Sequence, residues 1–317
     1  MRSVKRLLMV VNPHAGKQHF KGKLLDLIDI CTRQGYDTTV LTTQGRGDAA
    51  GMVRERAALY EKIICCGGDG TLNEVISGLM ACPPQARPPL GYIPAGTTND
   101  LAATLGIDRD PFAACRDIFS GTEIPYDIGS FNEDRCFSYI AAFGAFTEVS
   151  YQTPQPLKNT LGHFAYLLEG TRRLSELHPY RIQVRHDGGT IEGNFIFGAV
   201  CNTRSIGGLL HFDRQDADPA DGLFELLLVR MPRSIAGLSR ILAGLHSRRF
   251  DEDAVIFLHT AHAAFLCRED TAWSLDGEDG GVHRRCQIRN NPGAVRFLYD
   301  FTAHAAVQRQ AESLNGF

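Results

Sequence analysis

The chain has no apolar run of the ~18 residues that a membrane-spanning helix requires, so no transmembrane helix organises it. It has no CxxC pair, and its 9 cysteines are an odd number, which fits neither a disulfide framework nor a zinc site. Several stand in strand-like runs (Cys65, Cys66, Cys201, Cys267), where a reduced thiol serves as a small apolar side chain. That usage predicts a cytoplasmic compartment. A basic surplus is also missing. Lys and Arg number 33 against 36 Asp and Glu, for a net charge of −3, which argues against a general nucleic-acid binder. The opening MRSVKRLLMVVNPHAGK begins like a signal peptide, but Leu7–Val11 is too short for its apolar core and no cleavage site follows. Neither GxxxxGK[ST] nor GxGxxG occurs, and no repeat or low-complexity segment is present. What remains is 317 residues, 44% hydrophobic and 22% charged, enough for a sizeable core and about two domains.

The first 120 residues alternate strand and helix signals. RLLMVVN (6–12), YDTTVLTT (36–43), KIICC (62–66) and LGYIP (90–94) read as strands. Helical spacing runs from Phe20 to Gln34, with Gly35 as its stop, and again over 47–60, after GGDGT, and from Pro111 to Ser120. This grammar predicts an α/β domain with a parallel sheet and crossover helices. Beyond about residue 128 the pattern changes. Tyr180, Ile182 and Val184 alternate with Arg181, Gln183 and Arg185 before a turn at HDGG, as in an antiparallel hairpin with one wet face. LFELLLV (223–229), AVIFLHT (254–260), AAFLC (263–267), TAWSLD (271–276) and RCQIR (285–289) continue in that style, interrupted by helices over 157–177 and 234–246. The expected architecture is a domain over 1–128, to which 295–317 returns, and a β-sandwich-like domain over 129–294.

KIICCGGDGTLNEVISGLM (62–80) places a glycine-rich turn between a buried strand and a helix, an arrangement that aims backbone amides at an anion. Gly67, Gly68 and Gly70 would permit positive φ and close approach of phosphate oxygens. Asp69 is out of place beside phosphates unless a divalent cation or a transferable proton mediates. The bland alternative is a tight turn whose Asp caps its own helix. NPHAG (12–16) and PAGTTND (94–100) follow two other strands, the latter offering the hydroxyls of Thr97 and Thr98 and the carboxylate of Asp100. Thr43 ends the second strand and would supply another hydroxyl. Small-residue turns at several carboxyl ends of one parallel sheet mark a ligand edge.

NPHAG, GGDGTLNE and PAGTTND, in this order, resemble the diacylglycerol kinase catalytic-domain family, most closely its bacterial soluble lipid kinases, which are related to sphingosine and ceramide kinases. YDIG (126–129), DPADG (218–222) and LDGE (275–278) extend the likeness over nearly the whole chain. The resemblance implies a nucleotide-binding domain of the NAD kinase/diacylglycerol kinase type, with ATP and lipid meeting in a cleft beside the β-rich domain. It carries nucleotide binding to Asn12, Pro13, His14, Ala15, Gly16, Thr43, Gly67, Gly68, Asp69, Gly70, Thr71, Leu72, Asn73 and Thr97. His14-Ala15 replaces the family's frequent Thr-Ser, which keeps the backbone role and loses a hydroxyl. Glu278 matches the proton acceptor, while Asp69 and Asp127 match acidic residues near a catalytic Mg2+. Asp218, Asp221 and the Leu223 carbonyl match a structural Mg2+ site that Asp100 would join. Each has a plainer reading: a hairpin turn at 276–278, a self-capped loop at DPADG, a solvated strand end at Asp127.

The activity so implied is ATP- and Mg2+-dependent phosphorylation of a hydroxyl on a diacylglycerol-like lipid, by a cytoplasmic protein peripheral to the membrane. A homodimer is one assembly expected. NAD kinase chemistry and a nucleotide-binding regulator without catalysis are the rival readings. His259 and His262 lack the spacing and the third ligand of a zinc site and read as structural. Arg172-Arg173 and HSRR (246–249) read as solvated faces, or as contacts for anionic headgroups.

Overall fold

The computed structural model describes residues 4–16, 21–144, 177–202, 205–206, 210–211, 218–247, 251 and 253–300. Two compact units are formed, Met1–Tyr126 with Gly293–Phe317, and Asp127–Pro292. The helix expected over 157–177, Arg172-Arg173 and HSRR lie outside the described residues or their described side chains.

In the first unit, strands β1 (Lys5–Val11), β2 (Tyr36–Thr42), β3 (Lys62–Gly67) and β4 (Leu90–Pro94) alternate with helices α1 (Leu24–Arg33), α2 (Asp48–Arg56) and α3 (Asp69–Met80). β1 pairs in parallel with both β2 and β3, and β3 pairs in parallel with β4. The strand order is therefore β2-β1-β3-β4, continued by the C-terminal end of β15 (Glu278–Tyr299), where Phe297 and Leu298 pair with Leu90 and Gly91. Helices on such a sheet leave its central strands no wet face, which is why Leu7–Val11 and Ile63–Cys66 are uninterrupted apolar runs, all buried. α1 ends as its sequence demands, with Gly35 in the left-handed region (φ 82). α4 (Asp100–Leu105) and α5 (Pro111–Ser120) follow, and Asp110 caps α5 by accepting from the Ala113 amide at 2.9 Å.

The second unit holds β6 (Arg135–Phe137), β7 (Ile140–Gly144), β8 (Tyr180–His186), β9 (Gly189–Cys201), the short pair β10 (Ser205–Ile206) and β11 (Leu210–His211), and β12 (Phe224–Arg230). It continues with α6 (Ile235–Ser247), β13 (Val255–Thr260) and β14 (His262–Leu275); β5 (Thr122–Phe131) and β15 each run from one unit into the other. Its pairings are antiparallel: β13-β12-β9, then β7 and β8 both joining β9 to β14, and β14 to β15. Apart from β10 and β11, these strands form one hydrogen-bonded network where the sequence suggested a sandwich-like body. Both faces of its centre are buried. Phe224, Leu226 and Leu228 enter one apolar cluster around Trp273, while Leu227 and Val229 enter another with Ile196 and Leu238. AAFLC and TAWSLD, read as two strands, are one strand interrupted by a register shift between Leu266 and Thr271. Eight of the 9 cysteines are buried, Cys136 is half-buried, and all are free thiols. Among the described residues no helix is long and apolar enough to cross a membrane, and no group of His, Cys, Asp or Glu suited to a metal ion converges.

Candidate active site

From β1 the chain steps one way across the sheet to β2 and then the other way to β3 and β4, so the topological switch lies between β1 and β3. Asn12–Gly16 and Gly67–Thr71 leave the sheet at that point, and Pro94–Asp100 leaves beside them. These loops are fastened to one another. Asn12 donates its amide N–H to the Cys66 carbonyl at 2.9 Å and its Nδ2 to Thr71 Oγ1 at 2.9 Å. The Ala95 amide donates to the Gly67 carbonyl at 2.8 Å. The glycines serve this fastening. None of Gly67, Gly68 and Gly70 has positive φ, contrary to the sequence expectation. A Cβ on Gly96 would lie 2.6 Å from Gly68 Cα, and one on Gly16 (φ 63) would run into the Ala95 carbonyl. Side chains are excluded because two backbones already fill the space.

α3 begins inside the motif, at Asp69, with Gly68 as its extended N-cap and no side-chain cap. The opening amides of a helix have no intrahelical acceptor, and they carry the positive end of its dipole. Asp69 does not cap its own helix. Its Oδ2 accepts from the Asn99 amide at 2.8 Å, joining α3 to the following loop. Asn99 (φ 54) is the hub of that loop: its Oδ1 accepts from the Gly96 amide at 2.9 Å and from Tyr92 Oη at 3.2 Å, and its Nδ2 donates to the Gly96 carbonyl at 2.9 Å. Burial, with Asp69 adding to it, pushes the Tyr92 phenol well above its ordinary value, so it remains a donor. Glu74, one turn along α3, accepts from the amides of Gly47 (2.7 Å) and Ala49 (3.2 Å), which positions the loop after Thr43.

Of the residues carried over by resemblance, Thr43, Thr71 and Leu72 are buried, while His14, Gly70 and Thr97 are exposed. The Leu72 amide is spent on the Gly68 carbonyl at 3.0 Å and its side chain on the core. The Thr43 amide is likewise spent, on the Val11 carbonyl at 2.9 Å.

In the second unit Asp127 is fully buried, not a solvated strand end. Its Oδ2 accepts from the Gly222 amide at 2.7 Å, its own amide donates to the Pro219 carbonyl at 2.8 Å, and Asn202 Nδ2 donates to its carbonyl at 2.7 Å. Asp127 thereby shapes the DPADG loop. In that loop Asp218 Oδ1 accepts from the Ala220 amide at 3.1 Å and Asp221 Oδ1 from the Leu223 amide at 2.8 Å, with Gly222 at φ 81. Both carboxylates are exposed, and each engages its loop through one oxygen.

LDGE is a two-residue hairpin turn. Asp276 (φ 50) and Gly277 (φ 79) occupy its centre, and Leu275 faces Glu278, the first residue of β15. Asp276 turns inward. Its Oδ1 accepts from the amides of Tyr139 and Ile140, both at 3.0 Å, and its Oδ2 from the amide (2.6 Å) and hydroxyl (2.8 Å) of Ser138. Three successive amides make a concave anion site, here filled by the chain's own carboxylate. Burial pushes that carboxyl up, and the four donors act in the opposite sense. Glu278 is left at the surface, on a turn anchored from beneath.

Comparison with known proteins bears on what these loops are for. The family model for the diacylglycerol kinase catalytic domain matches residues 6–131. A diacylglycerol kinase of Bacillus subtilis is 34% identical over 283 residues, 88% of this chain and 91% of that protein. One from Staphylococcus aureus strain RF122 is 35% identical over 285 residues, 87% of each chain. The chain belongs to the diacylglycerol kinase family. The fold agrees: a solved diacylglycerol kinase structure from Bacillus anthracis strain Sterne superposes with a TM-score of 0.72 at 22% identity, covering 95% of this chain and 98% of that one. Another from the same strain gives 0.80 at 24% identity.

For a lipid kinase of this family, the structure draws together Asn12, Thr71, Asp69 and the Gly67–Gly70 turn in the first unit, and Asp127 with Asp218–Leu223 in the second. Asn99, Glu74, Asn202 and Asp276 complete these sites and escaped the sequence reading. Asn99 had a signal, since Asn before a helix is a frequent left-handed residue. Asp276 had one too, in the Asp-Gly of a tight turn, but nothing in the sequence points to the amides that hold it.

Proposed function

We propose that the chain transfers the γ-phosphoryl group of ATP to a hydroxyl of a diacylglycerol-like lipid in a Mg2+-dependent reaction. The observation that carries this reading is the set of interlocked small-residue loops at the switch point, ahead of the α3 N-terminus. Phosphoryl transfer asks little covalent chemistry of a protein; it asks that reactants be aligned and that developing charge be met by fixed dipoles. The amides of Asp69, Gly70 and Thr71 open α3 and would face phosphate oxygens, with Asn12–Gly16, Thr97 and the exposed edge near Thr43 lining the nucleotide. Asp69, already oriented by the Asn99 amide, would stand beside the phosphates.

Glu278 would accept the proton of the lipid hydroxyl, and the Asp276 anchor would fix the turn that presents it. Magnesium, when bound, supplies charge neutralisation at the transferring phosphate. The donor chemistry suits it. Asp218 and Asp221 are exposed hard-oxygen ligands, each with one oxygen outside its loop bond, and Mg2+ takes few protein ligands and keeps its waters. Asp218, Asp221 and the Leu223 carbonyl would hold a structural ion in the second unit, and Asp69 would serve the catalytic ion in the first. The acceptor class rests on the names of the B. subtilis and S. aureus relatives. A lipid acceptor implies work at a membrane surface from the cytoplasmic side. Labelled ATP offered with diacylglycerol, monoacylglycerol, phosphatidylglycerol, ceramide, undecaprenol and NAD tests the reading. Label in diacylglycerol or a close analogue is expected; label in NAD alone would replace it with the nucleotide-kinase reading.

A further inference from the structure

One sheet face of the second unit carries charge opposite to that of the chain. β9, β8, β14 and β15 lie side by side, His186 facing Gly189, Ala263 facing His186, and Ala263 facing Ile288. Ile182, Val184, Ala263, Phe265, Cys267, Cys286 and Ile288 point into the Trp273 cluster. Their neighbours in sequence therefore form the outer face. That face bears Arg181 and Arg185 from β8, Arg268 from β14, and Arg285 and Arg289 from β15, all exposed; Glu192 of β9 lies among them, and at the edges stand Asp187 in the β8–β9 turn and Asp270, which pairs with Arg284 at 2.7 Å. Arg181 meets Glu192 at 3.3 Å; among the described residues the other four arginines meet no carboxylate. The chain as a whole has 33 basic and 36 acidic side chains. Strands ~4.8 Å apart bring these guanidinium groups within roughly one Debye length (~8–10 Å) of their neighbours, so their fields add. Among them Leu266 is 44% exposed, directly across from Arg285.

We propose that this face docks on an anionic bilayer surface, with the arginines on lipid phosphates and Leu266 entering the headgroup layer. This deepens the lipid-kinase reading and rests on it for the reason the protein visits a bilayer. Arginine pairs well with phosphate through its planar fork, and an apolar residue ringed by cations is the composition of an interfacial contact. A single-stranded nucleic acid fits less well, because the outer positions of these strands carry no Phe, Tyr or Trp ring on which bases could stack.

The test is co-sedimentation of the full chain with vesicles of phosphatidylglycerol and phosphatidylcholine, beside vesicles of phosphatidylcholine alone. Wild type should bind the anionic vesicles, lose that binding as salt is raised, and bind the neutral ones weakly. Arg185→Gln with Arg285→Gln should weaken anionic binding by on the order of 25-fold, about five-fold per arginine. Glu192→Gln, which removes the acidic side chain beside Arg181, should tighten it. Turnover on a dispersed short-chain diacylglycerol should be the same in all three proteins. Affinity of the double variant within two-fold of wild type overturns the proposal. So does a shift from dimer to monomer with vesicle binding unchanged, or capture of a single-stranded oligonucleotide in place of vesicles. Arginine-dependent vesicle binding without turnover on any diacylglycerol keeps the surface and removes the kinase reading.

Discussion

Replacing Asp276 by Ala should cost far more than a turn residue usually does. The carboxylate is 6% exposed and satisfies the amides of Ser138, Tyr139 and Ile140 together with the Ser138 hydroxyl. Each buried donor left without an acceptor costs about 1–3 kcal/mol, and water entering the gap recovers part of that. Ala is also disfavoured at φ 50, by roughly 1 kcal/mol. The expected loss is about 3–5 kcal/mol, at the upper end for single substitutions. For a unit of this size that lowers the midpoint by roughly 10 °C. Trp273, the only tryptophan, is fully buried in the same strand that leads into the turn, so its fluorescence in a urea titration reports on this unit. Asp276→Asn should fall between wild type and Asp276→Ala, because it keeps the left-handed turn but points an NH2 group at two donors. Below their melting temperatures both variants should turn over slowly, since the turn carrying Glu278 has lost its anchor. A midpoint for Asp276→Ala equivalent to less than about 0.5 kcal/mol of destabilisation would refute the argument, leaving the four hydrogen bonds without energetic weight.

Gly96→Ala places a methyl 2.6 Å from Gly68 Cα and 2.7 Å from Asn99 Oδ1; overpacking of about 1–3 kcal/mol and loss of ATP-dependent thermal protection are expected, and unchanged protection would contradict the close-approach role. Asp187 is held below the ordinary carboxylate value of 3.8 by the Thr260 hydroxyl first and the Ala261 and His262 amides next. Its contribution to stability is therefore present above that value and lost as pH falls below it, through the lower value of the folded state. The gap between wild type and Asp187→Asn should close as pH falls below 3.8; a gap that widens there would reverse the sign. Asp221→Ala should abolish the stabilisation that Mg2+ gives over EDTA in a thermal melt; an equal shift in both proteins would remove the DPADG loop as a cation site.

Much of the first unit is written in its sequence. KIICC is an apolar run because β3 is covered on both sides, and α5 is bounded by Asp110-Pro111 at one end and Gly121 at the other. The turns at the strand ends stand out in the sequence because small residues recur there. Their physical reason was not. Gly68 and Gly96 are small for each other's sake, a contact between residues 28 apart in the chain that no local pattern encodes. β7 was missed because IAAFG is buried on both faces and shows no alternation. β15 runs from Glu278 to Tyr299 through Gly280, Gly281, Pro292 and Gly293, which read as breaks. Asp127 and Asp276 look like surface carboxylates in sequence, and only tertiary amides show why they are buried.

The central claim, phosphoryl transfer to a lipid hydroxyl with Glu278 as its base, is tested most directly by one comparison. Wild type and Glu278→Gln are given γ-labelled ATP, Mg2+ and diacylglycerol, and label is followed into the lipid phase while ATP affinity is measured separately. The account predicts labelled phosphatidic acid from wild type, a kcat lowered by about 10²–10⁴ in the variant, and the same ATP affinity in both. Equal rates of lipid labelling in the two proteins, or label that never enters the lipid, would contradict it.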